Sequence, residues 1–171
     1  MAASASSSTS STSQKYDVFL SFRGEDTRSG ITSHIYSALT KKKIETYMDD
    51  KSLERGHEIS PALLEAIERS KISVVILSED YASSSWCLSE LVHILKCCNE
   101  RGQVVLPIFY EVDPSHVRKQ DQGSYRDAFK KHEKKFKDKS ETVREWRLAL
   151  KASANIAGIH YSKSSRFIYM F

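Results

Sequence analysis

ISVVIL, at residues 72–77, gives a clear indication of the fold. It is a near-continuous apolar run, as expected for a β-strand that other elements cover on both faces. Strands of this kind belong to parallel sheets flanked by helices. The run therefore predicts a central parallel strand.

Further strands and helices are predicted on both sides of this run. The predicted strands are residues 17–22, 44–48 and 104–110, and the predicted helices are residues 27–40, 62–70, 86–98, 124–135 and 141–157. Strands that alternate with helices imply parallel βαβ units with right-handed crossovers. The sequence thus predicts a doubly wound α/β domain, with a short fifth strand at residues 159–161.

Local signals refine these bounds. Ser60 followed by Pro61 is a strong helix start, because a hydroxyl N-cap precedes a proline at the first helical position. Ser85 is predicted to cap the helix that begins at Trp86. Pro107 cannot donate to a strand ladder, so it predicts an edge position or a bulge in the fourth strand. Residues 112–115 are predicted to form a turn.

Composition favours one soluble globular domain. The chain has 171 residues, of which 40% are hydrophobic and 28% charged, and it contains no apolar run long enough to cross a bilayer. Its three cysteines, Cys87, Cys97 and Cys98, suit neither a disulfide framework nor a zinc site. We therefore expect no metal, no membrane partner and a reducing compartment, the cytoplasm, with entry into the nucleus left open.

Both ends of the chain are expected to lie outside the domain. Residues 1–14 are rich in serine and lack the apolar region of a secretory signal, so we expect a flexible tail. An organelle transit peptide is the weaker alternative, because the segment has no arginine and is short. After Gly158 the pattern decays, and residues 162–171 are predicted to be an irregular tail. The domain itself is expected to span residues 15–161.

Positive charge is concentrated in residues 130–139, which hold six lysines, in a chain of net charge +4. The main interpretation is a solvated helix face. Nucleic acid is a weaker candidate partner: clustered positive charge attracts phosphate, but no row of base-stacking aromatic residues accompanies these lysines.

The ligand crevice of a doubly wound sheet lies beyond the carboxyl ends of its strands, at the point where the strand order reverses. Three segments are predicted to form its rim: residues 23–27, 49–59 and 78–86. Residues 49–59 are charged and show no periodicity. They are long for a connection of this type, and long ordered loops are often functional.

One helix carries the candidate chemistry. Its apolar stripe is predicted to face the sheet and consists of Leu88, Leu91, Val92 and Leu95, whereas Glu90 points nearly the opposite way and Trp86 shares its outward face. A carboxylate beside an aromatic wall can support glycosidic cleavage of a nucleotide, since it stabilises the ribosyl cation that develops. The alternatives are that Trp86 only closes the helix end and that Glu90 is a solvated surface acid.

Two histidines have ordinary structural interpretations. His93 is expected to be an exposed i,i+3 neighbour of Glu90, and His34 a helix-surface or interface residue. The sequence contains no GxxxxGK[ST], GxGxxG, HExxH or GxSxG motif. It therefore supports neither a P-loop nucleotide triphosphatase nor a Rossmann dehydrogenase.

Four ordered blocks resemble a known family. Residues 16–28 (YDVFLSFRGEDTR), 49–56 (DDKSLERG), 86–91 (WCLSEL) and 104–118 (VVLPIFYEVDPSHVR) are similar to the TIR domains of plant immune receptors. The resemblance covers residues 16 to about 160. It implies a flavodoxin-like fold with a parallel sheet of about five strands.

The resemblance also implies NAD glycohydrolase activity, with NAD as a substrate and no cofactor. The products would be nicotinamide and ADP-ribose or its cyclic forms. The catalytic glutamate of the family falls on Glu90 and its pocket tryptophan on Trp86. The ribose and phosphate side would be lined by Phe22, Arg23 and Gly24. A mobile BB loop, which completes the site of a neighbouring subunit, would include Asp49, Asp50, Leu53, Arg55 and Gly56.

Self-association is the second property that the resemblance implies, with this chain or with other TIR domains. One surface would include Ser33 and His34, and another Gly158. The family's glycine–tryptophan pair is here Gly158–Ile159, and the glutamate-rich helix that normally follows is missing or reduced. We therefore expect a TIR-only product or a truncated isoform. A non-enzymatic interaction module in immune signalling is the alternative function.

Overall fold

The computed structural model describes residues 15–48, 59–162 and 169–170, whose strands form one sheet. The strands are β1 (Tyr16–Phe22), β2 (Thr46–Met48), β3 (Ser70–Leu77), β4 (Val104–Tyr110), β5 (Ile159–Tyr161) and β6 (Tyr169–Met170). Their order across the sheet is β2-β1-β3-β4-β5-β6. The first five are parallel and β6 is antiparallel to β5. The predicted tail at residues 1–14 lies outside the described residues.

Helices connect the parallel strands. They are α1 (Gly24–Thr27), α2 (Ser33–Lys41), α3 (Pro61–Glu68), α4 (Ser85–Arg101), α5 (Pro114–Lys119), α6 (Gly123–Lys135) and α7 (Ser140–Ser153). A π-helical stretch, Arg28–Thr32, joins α1 to α2. Short 3-10 turns occur at Tyr81–Ser83 and Lys137–Lys139.

Apolar layers on both faces of the sheet confirm the doubly wound α/β architecture. One face buries Phe19, Val75, Leu77, Val105 and Phe109 under α3, α4, α6 and α7. The other face buries Val18, Leu20, Phe22, Val74 and Ile76, and α2 packs against it. The ISVVIL run therefore lies between two layers, as its apolar pattern predicts.

The strand order reverses between β1 and β3. The chain passes from β1 to β2 on one side, whereas β3 pairs with β1 on the other, in a register that places Phe22 beside Ile76. Arg23 and Ser78, which follow these strands, therefore lie at the same edge of the sheet. This edge is where a doubly wound sheet forms its ligand crevice.

The first helix is broken, which differs from the continuous helix predicted at residues 27–40. Helical backbone begins at Gly24, and a kink occurs at Gly30, where φ is −117° and ψ is −118°. Two buried threonines hold the turn: Thr32 Oγ1 donates to Thr27 Oγ1 at 2.9 Å, and Thr27 Oγ1 donates to the Arg23 carbonyl at 3.1 Å. These local side-chain hydrogen bonds stabilise a turn that interrupts the helical period of the sequence.

Several bounds differ by a few residues from those predicted. Strand β2 begins at Thr46 and not at residue 44, and β3 begins at Ser70, two residues before the apolar run. Helix α5 begins inside the region predicted as a turn, at Pro114, because Asp113 caps it by accepting from the Ser115 amide at 2.7 Å. Helix α7 ends at Ser153, earlier than predicted.

Pro107 lies in a strand with a neighbour on each side, yet its missing N–H is tolerated. It pairs with Val75 on β3, whereas β5 pairs with β4 only over the residues that follow Pro107. Pro107 is therefore locally at an edge, as predicted. Gly158, just before β5, packs closely here: a Cβ atom on it would lie 2.5 Å from the Pro107 carbonyl oxygen.

The predicted irregular tail contains a short strand. Tyr169 pairs with His160 and Met170 with Ile159, so β6 covers part of the edge of β5. In the described part of the chain α7 is the last helix. On the face that α2 covers, Ile72 and Leu106 remain half-buried.

The N-cap of α4 is Ser84 and not Ser85. Ser84 has extended backbone, and its Oγ accepts from the Cys87 amide at 3.2 Å. The serine run at residues 83–85 offers three candidate caps, and sequence pattern alone does not separate them. Which serine becomes the cap depends on the position of the preceding turn, whose first residue, Tyr81, is buried.

We expect Ser84→Ala to lower stability by about 1 kcal/mol, because the first turn of α4 loses its capping acceptor. For a domain of this size the melting temperature should fall by about 2–4 °C. Ser85→Ala is the matched control and should change stability by less than about 0.5 kcal/mol. Calorimetry of both variants checks this, and an equal effect at the two positions would contradict the cap assignment.

Candidate functional site

Helix α4 begins beside the carboxyl end of β1. The Cys87 thiol donates to the Phe22 carbonyl over 3.6 Å, and the buried Tyr81 hydroxyl lies 3.0 Å from Ser21 Oγ and 3.1 Å from the Cys87 carbonyl oxygen. These contacts join the last residues of β1 to the first turn of α4. They bring the backbone of Phe22 to the helix that carries Trp86 and Glu90, and Arg23 and Gly24 follow Phe22 in the chain. The Phe22 side chain itself packs in the apolar layer on the other face of the sheet, which α2 covers.

Glu90 is buried, with 5% of its surface exposed, which corrects the prediction that it points away from the protein. It influences Tyr81: burial raises the pKa of Tyr81 well above its usual value, and electrostatic interactions with Cys87 and Glu90 add to this shift. Glu90 and Tyr81 are therefore close enough to interact electrostatically.

The buried position of Glu90 has a physical cause. Helix α4 packs against more than one element, so its buried face is wide and covers about half of the helix circumference. The buried residues are Cys87, Leu88, Glu90, Leu91, Ile94 and Cys97. Val92 and Leu95, predicted to face the sheet, are only half-buried and line a cavity of about 360 Å³ together with residues of α7. The observed buried face is thus rotated around the helix relative to the predicted stripe, so that it includes Glu90.

Trp86 is half-buried and packs against the core on the α4 face of the sheet. It precedes Glu90 by four residues, about one turn of the helix. An indole that is only partly covered at the start of a helix can both close the helix end and present a flat apolar surface to a ligand. The structure therefore leaves both predicted roles of Trp86 open.

Arg23 is held by carboxylates at the carboxyl end of β1. Its guanidinium donates to Asp26 and to Glu25, and Asp26 also accepts from Ser78 Oγ at 2.6 Å. Burial alone would lower the pKa of Arg23, but the charges of Asp26, Glu25 and Asp80 outweigh it and raise the pKa. Arg23 is thus a fixed, permanently charged group.

Helix α6 supports the segment between β3 and α4. Tyr125 donates its hydroxyl to the Ser78 carbonyl at 2.9 Å, and Ser124 donates to the Glu79 carbonyl at 2.5 Å. His132 Nε2 lies 2.8 Å from the Ala82 carbonyl. Three side chains of one helix therefore hold the backbone that leads into the start of α4.

His93 does not extend the site. Its Nε2 lies 3.3 Å from the Glu68 carboxylate on α3, a distance within ion-pair range, although the geometry does not make a hydrogen bond. Its side chain is 19% exposed. The prediction of an exposed neighbour of Glu90 is therefore wrong, because α3 packs beside α4 at this position.

The remaining predicted residues lie elsewhere or outside the described residues. Those outside the described residues are Asp49, Asp50, Leu53, Arg55 and Gly56. Ser33 and His34 are exposed on α2, where His34 lines a cavity of about 310 Å³ with Gly30, Ile31, Tyr110 and Tyr161. Gly158 packs against β4. These three residues are not part of the α4 site.

Sequence reasoning missed Tyr81, Ser21 and Ser78 as parts of this site. Tyr81 is fully buried, although it lies in a polar stretch, SEDYASSS, at residues 78–85. A lone aromatic residue in such a stretch is a signal of burial, because a large apolar ring in a loop needs a partner. Ser21 is the second-last residue of β1, and Ser78 directly follows β3. The sequence around them gives no signal of a role in the site.

Other kinds of site find no support in the described residues. No group of three or more histidine, cysteine or acidic residues there could hold a metal ion. No helix in residues 15–48 and 59–162 is long and apolar enough to cross a membrane. The six lysines of residues 130–139 are all exposed, in agreement with a solvated face.

The arrangement can stabilise positive charge. A carboxylate in a poorly solvated site interacts more strongly with a nearby cation than one in water does, because the local dielectric constant is lower. Preorganised charge of this kind lowers the free energy of a cationic transition state without reorganisation. The site therefore suits a reaction in which positive charge develops near Glu90, beside the partly exposed ring of Trp86.

Comparison with known proteins identifies relatives over most of the chain. The family described as TIR domain matches residues 15–169. The chain is 53% identical over 152 residues to the TMV resistance protein N of Nicotiana glutinosa, and 54% identical over 160 residues to the disease resistance protein RPV1 of Vitis rotundifolia. These alignments cover 89% and 92% of this chain but only 13% and 11% of the relatives.

A solved structure shares the fold. It is described as the TIR domains of the activated Roq1 resistosome, which directly recognises the pathogen effector XopQ. The TM-score is 0.76 at 51% sequence identity, and the match covers 85% of this chain and 86% of that one. The flavodoxin-like arrangement expected from the sequence is thereby confirmed, with β6 as an addition to its five parallel strands.

Proposed function

The chain belongs to the TIR domain family, and from this premise we propose that it is an NAD glycohydrolase of plant immune signalling. Hydrolysis would consume NAD and water and release nicotinamide, ADP-ribose and a proton. Cyclisation would consume NAD alone and release nicotinamide, a cyclic form of ADP-ribose and a proton. NAD is thus a substrate and not a cofactor. This chain corresponds to only 13% and 11% of the length of these relatives, so the proposal concerns the TIR domain and not the whole proteins.

The observation that carries the proposal is the burial of Glu90 one helical turn after Trp86. A buried carboxylate costs desolvation energy, so a protein that tolerates one here gains something from it. Burial of an acid in the helix that follows the strand-order reversal is the arrangement expected of a functional group. A solvated surface acid, the alternative interpretation from the sequence, does not fit this burial.

Bond cleavage in NAD places specific demands on these residues. The nicotinamide ring already carries the positive charge and leaves as a neutral molecule, so no general acid is required. The ribosyl group becomes cationic, and the Glu90 carboxylate would stabilise it electrostatically. We propose that Trp86 packs against the substrate and that Phe22, Arg23 and Gly24 line its ribose and phosphate side.

The direct experiment is to incubate the purified chain with NAD and to measure nicotinamide by chromatography. Product analysis by mass spectrometry then separates ADP-ribose from its cyclic forms. No nicotinamide from concentrated or surface-crowded protein would remove the proposal. Such a result would favour the second candidate function.

A non-enzymatic module that joins larger receptors by TIR–TIR contact is this second candidate. The observation in its favour is the match to TIR domains that were solved in a resistosome. We propose that Ser33 and His34, both exposed on α2, take part in self-association, and that Gly158 does so near β5. The cytoplasm is the proposed location, because the expected reducing environment suits the three free cysteines.

Activity per molecule should rise with protein concentration if residues 49–56 of one subunit complete the pocket of another. Isolated subunits would then be incompletely organised, and assembly would increase the competent fraction. Initial rates measured across the range in which light scattering shows an increase in mass check this. A total rate that stays strictly proportional to concentration across that range would contradict a shared site.

A further inference from the structure

Tyr81 is buried beside the proposed site, with no exposed surface. Its hydroxyl lies 3.1 Å from the Cys87 carbonyl oxygen and 3.0 Å from Ser21 Oγ. A carbonyl oxygen can only accept a hydrogen bond, so the Tyr81 hydroxyl donates to the Cys87 carbonyl. Ser21 must then donate its own proton to the Tyr81 oxygen.

The two hydrogen bonds span two different elements. Ser21 is the residue before Phe22 at the end of β1, and Cys87 lies in the first turn of α4. One hydroxyl therefore bridges the strand that leads to Arg23 and the helix that carries Glu90. A bridge made in the dry interior is stronger than one in water, and its loss leaves polar groups without a partner.

We propose that Tyr81 is a positioning residue for NAD cleavage: its hydroxyl fixes α4 against the end of β1 and thereby sets where Glu90 lies relative to Phe22 and Arg23. This inference rests on the proposed function. Small displacements of a catalytic group are costly, since a misplacement of about 1 Å can reduce a rate about 100-fold.

Tyr81 acts through structure and not through proton transfer. Burial raises the pKa of its hydroxyl well above the usual value, and electrostatic interactions with Cys87 and Glu90 raise it further. The hydroxyl therefore stays protonated in the pH range in which proteins normally function. Removing the Tyr81 hydroxyl should therefore leave the shape of the kcat–pH profile unchanged.

The test uses Tyr81→Phe, which removes the bridging oxygen and keeps the ring in the core. We expect kcat for nicotinamide release to fall about 10- to 100-fold while KM changes little, because substrate contacts remain. Ser21→Ala removes the other end of the bridge and should have a similar effect. Since both variants break the same link, the double variant should fall no further than the more affected single variant.

Ser89→Ala is the matched control. Ser89 also anchors α4, but it accepts from Trp146 Nε1 at 3.1 Å and so joins α4 to α7, not to β1. Its loss should lower thermal stability without lowering kcat below the melting temperature. An equal loss of kcat in Ser89→Ala and Tyr81→Phe would overturn the proposal, because any loosening of α4 would then suffice. Unchanged kcat in Tyr81→Phe would overturn it directly.

Amide hydrogen exchange gives a readout that does not depend on catalysis. Tyr81→Phe should accelerate exchange in the first turn of α4 and at the end of β1, and Ser89→Ala should not accelerate it at β1. If the wild-type chain releases no nicotinamide, the proposed function fails, and the placement of α4 by Tyr81 is then decided by exchange alone. Faster exchange at both elements would support that placement, and unchanged exchange would overturn it.

Discussion

Glu90→Gln should reduce nicotinamide release about 100- to 1,000-fold, the usual effect of removing one preorganised electrostatic group. Glutamine has nearly the volume and hydrogen-bonding reach of glutamate but no charge. The buried position at Glu90 would stay filled, so the melting temperature should change little while the stabilisation of the ribosyl cation is lost. Alanine would be a poorer choice, since it would also leave a cavity.

Glu100→Gln is the matched control, because Glu100 lies on the same helix but is exposed near its other end. It should keep wild-type activity. The two variants are compared at equal protein concentration, at saturating NAD and at a concentration where the wild type is assembled. If Glu90→Gln retains activity within about threefold of the wild type, Glu90 does not supply the electrostatic stabilisation described in the proposal.

Gly158→Ala should be the most destabilising of the substitutions considered, at about 2–3 kcal/mol. The added Cβ would lie 2.5 Å from the Pro107 carbonyl oxygen and 3.2 Å from Phe109 Cε2. A backbone oxygen in a buried strand cannot move aside as a flexible side chain can. Strand β5 would be forced away from β4, and the melting temperature should fall by about 4–12 °C.

The control for this substitution is Ala157→Ser, which adds one atom at the exposed neighbouring residue and should change stability by less than about 0.5 kcal/mol. Thermal melts and sedimentation are measured together. The resemblance to plant TIR domains implies that Gly158 belongs to an association surface. An unchanged melting temperature with weakened association would favour that role and contradict the packing argument.

The layered fold could be predicted because its strands carry strong local signals. The run at residues 72–77 is apolar on both sides, and this pattern needs no knowledge of distant residues. Ser60 and Pro61 start α3 as predicted, since capping is decided within one turn. The same reasoning failed at Ser85, because the 3-10 turn at Tyr81–Ser83 determines which serine of the run meets the helix.

The site was less predictable than the fold. Glu90 was identified by resemblance, and its helical position suggested an outward direction, because the sequence does not show how many elements surround α4. The burial of Tyr81 has a local signal, but its bridging role has none: its partners Ser21 and Cys87 are 60 and 6 residues away, and only the folded chain brings them together. Local pattern predicts elements, whereas polar bridges between elements depend on tertiary structure.

The two outermost strands of the described sheet are very short. β2 has three residues and β6 has two, so the described edges offer few free backbone groups to another chain. Long open edges are templates for amyloid-like pairing, and short ones discourage it. Polymers of this domain should therefore grow through side-chain contacts between helices and loops. Such contacts involve no shared β-ladder, so an assembly built from them could dissociate without unfolding any subunit.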